Sequence, residues 1–364
     1  MGGSTCPVEA KWLQDTEHMD SRCRSTRNEW HYQRAVVRQR PYVCSTSISS
    51  FSSQQPLASW NDHARDLLHM INHFRSKMPM PLVGIGHSLG ANILCNLAFL
   101  HPRLLSTVVL LDPVIQHEAS APKGPSPAQA STYRRDLWQT RVEAETSFKK
   151  QKFYQSWDQR VLDRWCRYGI RDTPSVLYPD KDGVTLATTK HQECFTFLRP
   201  SWESMDITGK ELVDREMVPD MNPNTVNKFP FYRPEPPNTL VRLPELRPSV
   251  LYIFGSESPM SSPEARQNKM ELTGTGVGGS GGAVAGRVRQ VVLQGVGHLV
   301  AMEESTKCAD AAALWLGDET RRFKVAREEY TTWMKQNLLA KSTLSDEWRS
   351  RIGAPLKPRG SSKM

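Results

Sequence analysis

Residues 81–101 read Pro81-Leu82-Val83-Gly84-Ile85-Gly86-His87-Ser88-Leu89-Gly90-Ala91-Asn92-Ile93-Leu94-Cys95-Asn96-Leu97-Ala98-Phe99-Leu100-His101. A short apolar run (Leu82, Val83, Ile85) stops at Gly86-His87-Ser88-Leu89-Gly90, and beyond it Ile93, Leu94, Leu97 and Leu100 recur at helical spacing on one face. The pattern predicts a strand, a sharp turn and a helix. Glycines two before and two after the serine let strand and helix pack closely, while the serine takes a strained conformation at the apex and lifts its hydroxyl above the sheet. Ser88 is the candidate nucleophile, and the backbone N–H of Leu89 is a candidate oxyanion donor.

Working outward, Ser59 with Asp62 three residues on has the form of a helix-start box, and Leu67, Leu68, Ile71 and Phe74 give the helix one apolar face. His69 and His73 stand four apart on it, but no third ligand accompanies them, so they read as exposed polar residues rather than a metal site. Downstream, Leu104 to Leu111 is a continuous apolar run, suited to a central parallel strand covered on both faces. Asp112 then falls at that strand's carboxyl end, the edge where catalytic groups gather in open α/β sheets.

Residues 117–247 break the strand–helix alternation: 121–127 and 219–248 are Pro-rich, and 131–168 reads mainly helical. This stretch is expected to be an inserted cap over the sheet edge. Its aromatic residues read either as the lining of an acyl cleft or, more simply, as the cap's own core. Alternation resumes at Val250–Phe254, a strand stopped by Gly255, with a helix from about Ser262 to Leu272. Gly274 to Gly286 contains a G-x-G-x-x-G match, but a helix precedes it and none follows, so it reads as a loop and not a dinucleotide site. A last strand, Arg287–Leu293, leads into Gly297-His298-Leu299-Val300, where His298 can swing over Ser88 as general base. Residues 305–338 read as a closing helical region.

The chemistry these groups imply is acyl transfer, and it needs a carboxylate to hold the imidazole. Two candidates remain open, Asp112 and Glu257; three residues past Gly255 the common acid position holds Ser258, which cannot serve. The second oxyanion donor normally comes from a His-Gly loop, and the sequence has no His-Gly dipeptide and no glycine from residue 4 to residue 83.

Composition narrows the rest. The chain has 364 residues with a net charge of +9, but its basic residues are scattered and not interleaved with aromatics, so no nucleic-acid partner is expected. Seven cysteines, odd in number and without a C-x-x-C pair, fit a reducing compartment and argue against structural zinc; no cofactor is expected. No stretch reaches the length of a membrane span. The chain ends Ser362-Lys363-Met364, which differs from the peroxisomal address S-K-L only in its last residue, so a peroxisomal import receptor is the expected partner and the peroxisome the expected location.

With these motifs in hand, the chain resembles the α/β-hydrolase family, and within it the fungal peroxisomal hydrolases of toxin biosynthesis related to a yeast peroxisomal lipase. The resemblance is carried by Asp62-His63-Ala64-Arg65-Asp66-Leu67-Leu68, by the Gly84–Gly90 turn, by His101–Ser106, by Leu110-Leu111-Asp112-Pro113-Val114 and by Gly297–Val300. It covers about residues 57–310. It implies an α/β fold with a mostly parallel sheet and an inserted helical cap, with Ser88, His298 and Asp112 as catalytic residues. It also implies an ester or thioester of a small-molecule acyl group as substrate; an acyltransferase, or a binding protein with a weak or lost activity, are the alternatives. The family's N-terminal strands and His-Gly loop are not recognisable in 1–56. The expected organisation is therefore an atypical, largely disordered segment at 1–56, hydrolase core at 57–116 and 248–340 around a cap at 117–247, and a tail at 341–364.

Overall fold

The computed structural model describes residues 59–117, 127–206, 208, 211–221 and 231–354. The atypical segment at 1–56 and the C-terminal tripeptide lie outside them. Ser59 caps α1 (Trp60–Phe74): its side chain accepts from the Asn61 N–H, and Asp62 returns a bond to the Ser59 N–H, the reciprocal box read from sequence. Leu67, Leu68 and Ile71 pack inward, and His69 and His73 are exposed on the opposite side. β1 (Val83–His87), α2 (Leu89–Leu100) and β2 (Thr107–Leu111) follow. Every residue of β2 is buried, as its unbroken apolar run requires.

The long stretch before the next sheet strand carries α3 (Pro127–Tyr133), β3 (Leu137–Trp138), α4 (Arg141–Lys150), α5 (Lys152–Gln155), α6 (Gln159–Tyr168), β4 (Ile170–Asp172), β5 (Val184–Leu186), α7 (Lys190–Phe197), β6 (Arg199–Pro200), β7 (Phe231–Tyr232) and α8 (Glu235–Arg242). Residues 131–168 are mainly helical, and the only strand among them is the two residues of β3. β3, β5 and β4 form a small antiparallel sheet whose strands are too short to show a periodicity. The aromatics of this stretch pack on one another: Trp138, Phe148 and Tyr154 are buried with Leu162 and Ile170, and Trp157 and Trp165 lie against them. That is the simpler of the two readings, a separate small core.

The chain then enters β8 (Ser249–Gly255), α9 (Pro263–Leu272), β9 (Val288–Leu293), α10 (Val300–Glu303), α11 (Ser305–Met334), α12 (Leu338–Ser342) and α13 (Asp346–Ile352). The described sheet has the order β1-β2-β8-β9, and every neighbouring pair is parallel. Two layers sandwich it. On one face α1 and α2 bury Ala91, Leu97, Val108, Leu110, Tyr252 and Phe254 among others; on the other, the first half of α11 sets Cys308, Ala312 and Trp315 against Val109, Leu111, Leu251 and Ile253. Polar groups fix α11 to the start of the strands: the Trp315 indole donates to Thr107 Oγ1 at 2.8 Å, and Glu319 accepts from the Ser249 hydroxyl at 2.7 Å and from Arg287 at 3.2 Å.

A second polar junction joins distant parts of the sequence. Buried Glu235 accepts through Oε1 from the Ser59 hydroxyl (2.8 Å), the Trp60 N–H (2.9 Å) and Arg199 (3.2 Å), so the capped end of α1 is held by the residue that opens α8. Carboxylates near a helix N-terminus are favoured by its unpaired N–H groups. Among the described residues no helix is long and apolar enough to cross a membrane.

Candidate active site

The turn between β1 and α2 places Ser88 at φ 57° and ψ −120°, a region that side-chain-bearing residues seldom occupy. Close packing makes the turn possible: a Cβ on Gly86 would stand 2.7 Å from the Gly90 carbonyl group, so only glycine lets β1 and α2 meet there. Hydrogen bonds from the Ser88 N–H to the Leu111 carbonyl (2.9 Å) and from the Val114 N–H to the Ser88 carbonyl (3.2 Å) fasten the turn to the end of β2. Leu89 is the first residue of α2, where a backbone N–H has no carbonyl one turn back to bond.

At the end of β2, Asp112 also has a positive φ, 39°, and its side chain is fully buried. His298 comes from the loop between β9 and α10. Its Nδ1 lies 2.5 Å from Asp112 Oδ2 and its Nε2 lies 2.9 Å from Ser88 Oγ. An ionised carboxylate only accepts, so Nδ1 carries the proton and donates to Asp112, leaving Nε2 to accept from the Ser88 hydroxyl. Ser88, His298 and Asp112 are thus brought into one hydrogen-bonded line. Glu257, the other carboxylate considered, is not part of it: it is exposed, its side chain accepts from the Ser256 hydroxyl at 3.1 Å, and its N–H is tied to the Val296 carbonyl.

Burial alone would push the Asp112 carboxyl up, but hydrogen bonds from His298, Ser258 and Ser261 outweigh it and hold the group below the usual carboxylate range. Ser258 occupies the position where a carboxylate is commonly found after this strand, and its hydroxyl bonds to Asp112 Oδ2; Ser261 donates to Oδ1 at 2.6 Å. A further residue of the turn completes the group. His87 Nε2–H donates to the His298 carbonyl at 2.8 Å and its ring lies 5.1 Å from the His298 ring; burial holds its pKa below the ordinary histidine value. Sequence reasoning passed over His87 and Ser261, and weighed Ser258 only as an acid that could not serve. His87 stood inside the motif, but nothing in one dimension says that a hydroxyl on one loop meets a carboxylate on another.

Lys269 of α9 lies behind Asp112, is 1% exposed, and has its Nζ 3.4 Å from the Ala265 carbonyl. Burial pulls it from the ordinary 10.5 to about 8, against the attraction of Asp112. The folded value is below the unfolded one, so the cost of burying the charge is present in full below about pH 8 and fades as pH rises toward 10.5. Lys269→Met is expected to stabilise the fold by roughly 2–3 kcal/mol at pH 7, with the gain shrinking by pH 10. Urea unfolding at both pH values checks it; a variant less stable than the parent at pH 7 would contradict this account.

Known proteins share the sequence and fold of this chain over most of its length. A family model described as "Alpha/beta hydrolase family" matches residues 26–311, which carries the likeness upstream of residue 57 into the segment that the motifs had left unrelated. A type I acyl-CoA thioesterase of Penicillium brevicompactum is 41% identical over 313 residues, covering 79% of this chain and 71% of the relative. An abhydrolase domain-containing protein of Alternaria alternata is 28% identical over 282 residues, covering 77% of this chain and 100% of the relative. Among solved structures, E-2-(acetamidomethylene)succinate hydrolase aligns with a TM-score of 0.50 at 15% identity, over 72% of this chain and 76% of that one, a likeness of fold.

Proposed function

The chain belongs to the α/β-hydrolase family, and from that premise we propose that it is a serine hydrolase that cleaves acyl thioesters. The observation that carries the reading is the line from Ser88 Oγ through the His298 ring to the Asp112 carboxylate. The thioester preference rests on the Penicillium thioesterase, with which the chain shares 41% of aligned residues.

In the proposed reaction His298 Nε2 takes the Ser88 proton as Oγ attacks the acyl carbonyl. Negative charge collects on the former carbonyl oxygen, toward which the Leu89 N–H is the assigned donor. Collapse breaks the carbon–sulfur bond, the thiolate leaves with the proton held by His298, and an acyl-serine remains. A water then attacks that ester, giving its proton to His298, and Ser88 is regenerated with release of the carboxylic acid. Asp112 keeps the imidazole in the required tautomer and stabilises its charged form throughout.

Two measurements test this. A fluorophosphonate probe should label the protein, and an acyl-CoA thioester should yield free thiol; well-folded protein that does neither is not a serine hydrolase. For location, the support is Ser362-Lys363-Met364. A fluorescent protein fused ahead of the full chain is expected in peroxisomes of a fungal host and to spread through the cytosol once those three residues are removed. Unchanged distribution would refute the targeting assignment.

A further inference from the structure

Asp112 is delivered by β2, yet the groups that hold its carboxylate come from the neighbouring strand's loop. Past the end of β8, the Ser258 hydroxyl bonds to Oδ2 and the Ser261 hydroxyl donates to Oδ1 at 2.6 Å, while the Gly255 N–H stands 3.4 Å from Oδ1. The two serines are buried, 5% and 0% exposed. The loop that bears them is itself fixed: the Met260 N–H bonds to Ser258 Oγ at 3.2 Å, the Ser261 N–H to the Ser258 carbonyl at 3.2 Å, and Arg266 to the Ser261 carbonyl at 2.7 Å. With His298 Nδ1–H on Oδ2, each carboxylate oxygen has a strong donor and Oδ2 has two.

We propose that Ser258 and Ser261 are positioning residues that act through Asp112, fixing both the rotation and the charge of the carboxylate that receives His298 Nδ1–H. The proposal rests on the serine-hydrolase reading above. A carboxylate needs donors when it is taken out of water, and here water has been replaced by two hydroxyls. Those hydroxyls also draw charge from the oxygens, which sets how strongly Asp112 attracts a proton on His298. Without them the carboxylate is free to turn away from the ring, and what charge it keeps falls more fully on the imidazole. The charged or titratable groups that face Asp112 are His298 from the β9–α10 loop, His87 from β1 and Lys269 from α9, and none of these is altered by changing the serines.

The test uses the full chain with Ser258→Ala, Ser261→Ala and the double variant, following thioester hydrolysis against pH. Each single change is expected to lower kcat about tenfold with little effect on KM, the size of one lost hydrogen bond to a charged group. The acid limb of the double variant's profile is expected to move to higher pH by roughly half a unit, because a less solvated carboxylate favours the imidazolium. Ser258→Thr, which keeps the hydroxyl, should return the limb to its parental place. A uniform loss at all pH values, with the limb unmoved, would show a merely structural role and overturn the proposal. Proton NMR of the His298 ring supplies a readout that needs no turnover: its titration should shift in the double variant in the same direction. An NMR shift in a protein without hydrolase activity would overturn the serine-hydrolase reading but uphold the coupling; an active enzyme with no NMR shift would do the reverse.

Discussion

Ser88→Ala is expected to lower thioester turnover by about 10⁴-fold or more while the protein stays folded. In the proposed mechanism the Ser88 hydroxyl at the end of the line Ser88–His298–Asp112 forms the covalent intermediate, so its loss leaves the other two with nothing to activate. Little else depends on it: the turn is held by the backbone N–H and carbonyl of residue 88, which alanine keeps. Alanine also meets the same φ of 57°, so the strain is unchanged. Steady-state hydrolysis, loss of fluorophosphonate labelling and an unaltered melting temperature are the measurements. Turnover within tenfold of the parent would remove Ser88 from the role of nucleophile.

The second large effect is expected at a residue with no side chain. A Cβ on Gly255 would stand 2.1 Å from the Gly297 carbonyl oxygen and 2.5 Å from that of Val296, atoms of the backbone that carries His298. Neither can swing aside as a flexible side chain would. The end of β8 is buried and hydrogen-bonded to the same loop, with the Glu257 N–H on the Val296 carbonyl at 3.0 Å, so relief requires residues 296–298 to shift as a unit. Gly255→Ala should therefore cost about 2–3 kcal/mol of stability by overpacking. It should also lower kcat at least 100-fold, since an ångström of displacement at His298 breaks the alignment with Ser88. Gly90→Ala is the control: among the described residues no atom outside its own helix turn lies within 4 Å of the added methyl, and the variant should keep its fold. Full activity in Gly255→Ala would mean that the loop's position does not matter to the reaction.

Short-range rules made several parts of this molecule legible in advance. Ser59 and Asp62 announce α1 because a capping box is a relation between residues three apart, and the buried β2 is written in its apolar run. The turn at Ser88 is equally local, although only the first of its two glycines is required by packing: a Cβ on Gly86 would meet the Gly90 backbone, whereas Gly90 has open space around it. His298 and Asp112 could be nominated because chain order and strand ends are one-dimensional facts. Strand ends alone do not separate Asp112 from Glu257, since both follow strands, and the family resemblance is what favoured Asp112; in the structure one side chain turns into the sheet edge and the other into solvent. The same holds for Ser258, Ser261 and Lys269, ordinary letters whose importance comes from what lies across the sheet. The strands of the small sheet were missed because two or three residues hold less than one useful period.

The pairing of β2 with β8 has a consequence for how the protein is made. Thr107 and Ser249 are bonded neighbours at the centre of the sheet yet 142 residues apart in sequence. Closing so long a loop costs on the order of 4 kcal/mol of chain entropy before any contact across it forms. During synthesis β1, α2 and β2 leave the ribosome well before their central partner, and at about 5–20 residues per second the wait lasts several seconds or more. Throughout it the edge of β2 that will meet β8 presents apolar side chains and unpaired backbone groups to the cell. A chain with this topology is exposed to aggregation while it grows, and its yield in a heterologous host should follow chaperone supply more closely than the stability of the finished fold.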